Sequence, residues 1–181
     1  MFREGLTIDR ANAGLFTGSS QVQPILHRPA APRVKTLEGW TNRATLPTPL
    51  AYDLALAYAE AGEFAKSAGM FRDRYFEREE GGTNVRQVYL ETQLLEALAL
   101  AKQGQTARAR AVMGRFGKET PGLAFTKDGM DVFLQDARFT YYLGVLEARL
   151  GNQEAARKQW QKAAAGRGIW AVAAAAKLGG D

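Results

Sequence analysis

The sequence predicts an all-α fold built from helical hairpins, and three observations support that prediction. Apolar residues recur at the three- and four-residue spacing of amphipathic helices. Gly62, Gly104 and Gly151 interrupt this spacing at points where one helix can end and another begin within a few residues. Small and aromatic residues stand at fixed offsets around these glycines. We therefore expect a repeated helix–glycine–helix unit.

The clearest copy of this unit lies towards the C-terminus. If Gly144 is counted as the eighth position of a repeat, then Gly151 is the fifteenth, Ala156 the twentieth, Trp160 the twenty-fourth and Ala163 the twenty-seventh. This pattern resembles the tetratricopeptide repeat (TPR), whose period is about 34 residues. The resemblance implies that small residues at positions eight and twenty let two helices approach closely. It also implies that the aromatic residue at position twenty-four fills the space against the neighbouring hairpin.

Two further hairpins fit the same template. In the first hairpin we expect a helix from Tyr52 to Ala61, a turn at Gly62 and a second helix from Glu63 to Phe76. In the second we expect a helix from Val85 to Gln103 and a turn at Gly104. The third hairpin, described above, runs from Val132 to Ala165. The template residues of the first two are Tyr58, Ser67, Phe71, Ala109, Met113 and Phe116. Successive turn glycines are forty-two and forty-seven residues apart, so segments are inserted around residues 79–84 and 121–129.

The two ends of the chain differ from the hairpins. Residues 1–49 are predicted to be a degenerate repeat or a Pro/Gly-rich arm, and residues 50–181 the TPR-like helical domain. Residues 4–13 resemble the junction between two TPRs. The resemblance implies that the chain starts within a repeat of a longer protein and continues as a degenerate hairpin, with helices from Asn12 to Leu26 and from Ala30 to Trp40. The alternative is a flexible N-terminal arm. At the other end, helix Ile169 to Leu178 is expected to cap the last hairpin through one apolar edge. The residues of that edge are Ile169, Trp170, Val172, Ala173 and Ala176.

The residue types that most catalytic and metal sites require are scarce. Cysteine is absent and His27 is the single histidine, which excludes disulfides, thiolate sites and multi-histidine metal sites. Residues 114–120 resemble a phosphate loop superficially, but the spacing between the glycines is wrong. The sequence therefore predicts that the chain is not an enzyme and that it needs no cofactor and no metal.

The net charge of +5 points only weakly to acidic partners, because acidic residues are interspersed with the basic ones. The second helices of the hairpins are basic, which suits a solvated convex surface and leaves a polyanion-binding face as an alternative. Their cationic residues are Arg108, Arg110, Arg115, Arg157, Lys158 and Lys162. The longest apolar run, Ile169 to Ala176, is much shorter than the roughly 20 residues that span a bilayer. No membrane partner is expected, nucleic acid is disfavoured, and the pattern favours the cytoplasm.

Two candidate binding sites follow from the sequence. In TPR proteins, positions two, five, nine, twelve and thirteen of each first helix line a groove. The resemblance places these residues there: Tyr52, Leu56, Glu60, Glu91, Leu94, Leu98, Lys102, Arg138, Tyr141, Val145 and Arg149. Such an apolar strip with mixed charge suits an extended or helical peptide, unless residues 21–49 or another copy fill it. The second candidate is an anion-binding loop of Gly81, Gly82, Thr83, Asn84 and Arg86; alternatively, Asn84 simply caps the next helix with Gln87 as its partner.

A second resemblance concerns residues 79–91. This segment is similar to one in the C-terminal helical part of certain large bacterial proteins that carry an N-terminal β-sandwich similar to aldose epimerases. The resemblance implies a helical accessory domain linked to carbohydrate metabolism, working on a neighbouring domain of its parent chain. The function that we predict first is a non-catalytic protein-interaction or scaffold module within a larger bacterial protein, binding a protein or peptide.

Overall fold

The computed structural model describes residues 29–40, 46–72, 74, 76, 85–118 and 136–179. Within these residues every regular element is an α-helix, which confirms the predicted all-α class. We number the described helices in chain order: α1 Ala30–Glu38, α2 Thr48–Glu60, α3 Phe64–Arg72, α4 Val85–Lys102, α5 Thr106–Met113, α6 Ala137–Arg149, α7 Gln153–Ala164 and α8 Ile169–Leu178. None of these helices is both long enough and apolar enough to cross a membrane.

The described helices fall into two compact units, and we describe each unit by itself. The first contains α1, α2, α3 and residues 85–88 at the start of α4. The second contains the rest of α4 together with α5, α6, α7 and α8. α1 coincides with the second helix of the predicted degenerate hairpin, whereas residues 12–26 lie outside the described residues. The predicted boundary at residues 49 and 50 stays a prediction.

The three predicted turns share one hydrogen-bond geometry. Gly62, Gly104 and Gly151 have φ values of +81°, +73° and +80°, a left-handed conformation that residues with a Cβ resist. In each turn the residue after the glycine donates its N–H to the carbonyl five residues earlier, as in a Schellman motif. These bonds run from Glu63 to Tyr58 (2.8 Å), from Gln105 to Leu100 (2.9 Å) and from Asn152 to Glu147 (2.9 Å). The glycines therefore end one helix and direct the chain into the next in the same way each time.

Small buried residues flank each turn at the two expected positions, where the paired helices lie close together. Seven residues before the turn glycines stand Ala55, Ala97 and Gly144; five residues after them stand Ser67, Ala109 and Ala156. Ser67 takes the place of the usual alanine, and its buried hydroxyl donates a 2.8 Å hydrogen bond to the carbonyl oxygen of Ala55 on the facing helix. The hydroxyl is thereby satisfied where it would otherwise be costly to bury.

Trp160 packs on the first helix of its own hairpin, where its indole lies over Gly144. That it also fills the space against the neighbouring hairpin stays a prediction. The indole Nε1–H donates a 3.2 Å hydrogen bond to the carbonyl oxygen of Tyr141. A glycine is therefore required at position 144, because any side chain there would enter the space of the indole.

Helix starts depart from the predictions where local capping decides them. α2 begins at Thr48 rather than Tyr52, because Pro49 falls in the first turn, where no backbone N–H is needed. α6 begins at Ala137, since the Asp136 carboxylate accepts hydrogen bonds from the backbone N–H groups of Arg138 (2.9 Å) and Phe139 (3.2 Å). The repeat pattern predicts a start near Val132, whereas the N-cap at Asp136 was not predicted.

The core of the second unit is continuous from α4 to α6. Its buried residues are Leu90, Leu94, Ala97, Leu100, Ala109, Val112, Phe139 and Leu146. Phe116, just after α5, packs edge-on against Phe139 of α6 with ring centroids 5.6 Å apart. Hairpin two (α4 and α5) thus packs directly on the first helix of hairpin three (α6 and α7).

The last helix packs through a face that was not predicted. α8 runs from Ile169 to Leu178, as expected, and lies against α6 and α7. Ala171 and Ala174 are its buried residues, whereas Ile169 and Val172 are 74% and 71% exposed. Ala176 is exposed as well. The expectation that Ile169, Val172 and Ala176 cover the last hairpin is therefore wrong, and Trp170 is the large side chain that docks the helix.

Candidate functional site

Two rows of side chains adjoin on α4 and α6 of the second unit. Glu91, Leu98 and Lys102 are spaced by seven and four residues, so they share one face of α4. Arg138, Val145 and Arg149 have the same spacing on α6. We call these six residues the paired rows. A 2.6 Å ion pair joins Glu91 to Arg138, the first residue of each row. Because both stand at repeat position two, the ion pair places the two rows side by side in register.

The paired rows combine partly exposed apolar groups with cations at one end. Leu98 and Val145, both at repeat position nine, are half-buried. Lys102 and Arg149, both at position thirteen, are exposed and form no ion pair within the described part of the chain. The carboxylate of Glu91 already compensates Arg138 at the opposite end. The uncompensated positive charge of this surface therefore lies at the C-terminal ends of α4 and α6.

The predicted groove residues at position five differ in exposure: Leu94 is buried, whereas Tyr141 is half-buried like Leu98 and Val145. Leu94 is only 6% exposed and belongs to the core of the second unit. The ring of Tyr141 lies 5.4 Å from that of Trp170 and 5.3 Å from that of Tyr142, measured between centroids. Leu94 therefore adds nothing to the surface beside Leu98 and Val145, whereas Tyr141 combines aromatic packing with partial exposure.

In the first unit, α1 covers part of the corresponding helix face. Arg33 of α1 forms an ion pair and hydrogen bond with Glu60 at the end of α2. Glu38 accepts a 2.8 Å hydrogen bond from the hydroxyl of Tyr58. Tyr52 is buried, and Leu56 is half-buried. Glu60, which was predicted to line the groove, is thus paired with Arg33 of the same chain. Arg33 belongs to residues 21–49, the segment that was considered as an occupant of the groove.

The contact between α1 and α2 leads to a stability prediction. The side chain of Arg33 is 7% exposed and that of Glu60 is 35% exposed, so removing the carboxylate leaves a buried guanidinium without its anion. We expect Glu60→Gln to lower the free energy of unfolding by about 1–2 kcal/mol, less than for a fully buried pair because solvent screens Glu60. Urea denaturation measures this change. Glu63→Gln is the matched control, since Glu63 pairs with the exposed Lys66 and its loss should cost at most about 0.5 kcal/mol. Equal effects of the two substitutions would contradict the prediction.

The predicted anion-binding loop is described only at its last residue. Gly81, Gly82, Thr83 and Asn84 lie outside the described residues. Arg86, the second residue of α4, is 1% exposed, so its guanidinium lies inside the protein. Gln87 is exposed, and the cap that it was predicted to form with Asn84 lies outside the described residues.

Cations on the second helices are mostly engaged by neighbouring groups. Arg108 donates to the Gln105 Oε1 (2.5 Å), Arg110 to the carbonyl of Leu150 (3.4 Å) and Arg115 to the Glu96 carboxylate (3.1 Å). Lys158 bonds Glu154 at 2.7 Å, and this bond raises the pKa of Lys158 and lowers the pKa of Glu154. These contacts favour a solvated surface over a face prepared for a polyanion.

The structure also exposes the Ile169 and Val172 side chains of α8, which were predicted to pack on the last hairpin. Within the described residues, no group of three or more His, Cys, Asp or Glu side chains is placed to hold a metal ion. His27 lies outside these residues.

Comparison with known proteins found no match to a family model, a curated protein or a solved structure.

Proposed function

We propose that this chain is a non-catalytic interaction module that binds a peptide segment of another protein along the paired rows. One observation carries the proposal: the Glu91–Arg138 ion pair holds the rows of α4 and α6 in register. Half-buried Leu98 and Val145 then stand beside the exposed cations Lys102 and Arg149. Apolar contact next to charge at a solvated rim is a common composition of protein interfaces.

The chemistry of the rows specifies the segment. Leu98 and Val145 bury apolar side chains, which supply most of the binding free energy. Lys102 and Arg149 attract carboxylates, which fix the orientation of the segment and speed its encounter with the surface. A segment with apolar residues followed by acidic ones fits this order, whether it binds as a helix or extended.

Charge reversal at the basic end tests the proposal. The immobilised chain is compared with its Lys102→Glu/Arg149→Glu variant for retention of proteins from the source cell, and the affinity of any retained partner is then measured in solution. We expect the variant to bind that partner at least about tenfold more weakly, because two attractive pairs become repulsive. Both residues are exposed, so circular dichroism of the variant should match that of the unmodified chain.

The control is an equal charge change elsewhere on the second unit. Arg108→Glu/Lys162→Glu reverses two exposed cations on α5 and α7. Binding should survive in this variant. If both variants lose the partner equally, the interaction depends on overall charge and the paired rows are not the site. If neither loses it, the partner binds elsewhere on the chain.

A further inference from the structure

The side chains of the paired rows change in character from one repeat position to the next. At position nine both helices present a half-buried apolar side chain, Leu98 on α4 and Val145 on α6. At position thirteen both present an exposed cation, Lys102 and Arg149. Because the rows are in register, like side chains stand beside each other across the two helices. We call the first pair the apolar level and the second pair the cationic level.

The two levels lie on one side of their helices. Four residues turn an α-helix by about 400°, so Lys102 lies within about 40° of Leu98 round the axis of α4. Arg149 and Val145 have the same relation on α6. Four residues also advance about 6 Å along the helix axis. A ligand that lies along the rows therefore meets the apolar level and then, about 6 Å further on, the cationic level.

The three carboxylates of α4 and α6 lie elsewhere. Glu91 belongs to the ion pair at the opposite end of the rows. Glu96 pairs with Arg115 at 3.1 Å. Glu147 precedes Arg149 by two residues, which places it about 160° away round the axis of α6. The cationic level therefore keeps its positive charge for an anionic group of a ligand.

Repeat position five adds a third level at the same spacing. Tyr141 precedes Val145 by four residues and is half-buried, whereas its counterpart on α4, Leu94, is buried. The third level is thus one aromatic side chain on α6. From position five to position thirteen the rows present an aromatic, an apolar and a cationic level in steps of about 6 Å.

This spacing matches an extended peptide. Side chains on one side of an extended chain are two residues apart, which is about 6.6 Å. Five extended residues therefore reach all three levels, whereas a helix would need side chains four residues apart and more than two turns. Helices shorter than about 12 residues are marginal in water. Two half-buried side chains and part of one tyrosine offer little apolar contact to offset the ordering of such a helix.

We propose that the paired rows bind an extended segment of a partner protein in which two apolar residues and one acidic residue occupy alternate positions. The inference rests on the proposed function and specifies the conformation and spacing of the bound segment. The first apolar side chain contacts Tyr141, and the second lies between Leu98 and Val145. The carboxylate lies between Lys102 and Arg149, and its two oxygens accept hydrogen bonds from both.

Three peptides of identical composition test the spacing on the full chain. Each carries two leucines on alternate positions and one glutamate in a serine background, and both ends are blocked so that no terminal charge remains. The glutamate follows the second leucine by two residues in the first peptide, by one in the second and by four in the third. NMR titration of the isotope-labelled chain measures each affinity and locates the residues whose amide signals shift.

We expect the first peptide to bind with signal shifts on α4 and α6, and the other two to bind at least about tenfold more weakly. Glutamine in place of the glutamate should weaken binding of the first peptide by about tenfold, because the charged hydrogen bonds are lost. These changes alter the peptide alone, so the fold of the chain is the same in every titration.

Substitutions in the chain test the shared carboxylate. Lys102→Gln and Arg149→Gln, each alone, should weaken binding of the first peptide and leave binding of its glutamine version nearly unchanged. Lys102→Glu/Arg149→Glu should bind a version with lysine in place of the glutamate more tightly than the original, a gain that a misfolded variant would not give. The control variant Arg108→Glu/Lys162→Glu should bind the first peptide as the unmodified chain does.

The outcomes separate this inference from the proposed function. Equal affinity for the three peptides, or tightest binding of the second or third, would overturn the extended spacing and leave the rows as a site for acidic segments. The same holds if the first peptide causes no shift at about 1 mM while Lys102→Glu/Arg149→Glu loses the cellular partner. If the first peptide causes no shift on α4 and α6 and that variant keeps the partner, the inference and the proposed function both fail.

Discussion

Gly144→Ala is expected to lower the free energy of unfolding by about 2 kcal/mol, although alanine is the better helix former. A Cβ at this position would lie 2.4 Å from Nε1 and 2.5 Å from Cδ1 of the Trp160 indole. The rigid ring would have to shift, and its hydrogen bond to the carbonyl oxygen of Tyr141 would stretch or break. Overpacking and the weakened hydrogen bond together outweigh the roughly 1 kcal/mol gained from helix propensity. Urea denaturation followed by circular dichroism measures the change.

Gly69→Ala is the matched control, because a Cβ added at Gly69 of α3 meets no atom within 4 Å. This substitution should stabilise the chain by about 0.5–1 kcal/mol. In a double-mutant cycle, Trp160→Leu should remove most of the cost of Gly144→Ala, since a smaller side chain leaves room for the new Cβ. A stabilising effect of Gly144→Ala by itself would show that the indole does not occupy this space in solution.

The features that the sequence predicted correctly are local ones. A glycine with positive φ, a small residue seven positions earlier and another five positions later lie within one hairpin, so their spacing along the chain reports their spacing in space. The turns at Gly62, Gly104 and Gly151 follow from this. The ends of α8 were predicted for the same reason, because Gly168 and Gly179 flank it.

The features that the sequence missed depend on contacts between distant segments. Helical periodicity assigned Ile169 and Val172 to the packed side of α8, but a helix with apolar residues all round has no unique inner face. Trp170 selects that face by packing on Tyr141 and Tyr142 of α6. Likewise, the pairing of Glu60 with Arg33 joins residues twenty-seven apart. The repeat template placed Glu60 in the groove, but it could not predict that a side chain from a distant helix would pair with this carboxylate.

The candidate site was predicted only in part, because contacts between distant segments decide which template positions stay accessible. Template positions nine and thirteen are solvent-accessible in the second unit, as a groove requires, whereas at position five Leu94 lies in the core and Tyr141 is half-buried against aromatic rings. The ion pair between Glu91 and Arg138 was not predicted, although both residues were named. Their equivalent positions in two repeats would have been the available signal, since equivalent positions of adjoining helices face each other when repeats stack in register.

Trp170→Ala should release α8 from the second unit, with a loss of about 2–4 kcal/mol in the free energy that holds this helix in place. The Trp170 ring centroid lies 5.4 Å from that of Tyr141 and 5.1 Å from that of Tyr142. The buried residues of α8 are the alanines Ala171 and Ala174, whose methyl groups bury little area, and its large half-buried side chains are Trp170 and Leu178. Because Trp170 is the larger of these two and packs on two tyrosine rings, we expect amide hydrogen exchange of α8 to accelerate by roughly a hundredfold in the variant.

Val172→Ala tests whether this effect belongs to Trp170 or to any apolar residue of α8. Val172 is exposed, so its loss should change stability by no more than about 0.5 kcal/mol, and the better helix propensity of alanine favours a small gain. If Val172→Ala loosened α8 as much as Trp170→Ala does, the helix would pack in solution through the side that carries Ile169 and Val172. If instead α8 kept its protection in Trp170→Ala, the alanine face would suffice to hold it. The two substitutions together therefore decide which side of α8 packs on the second unit.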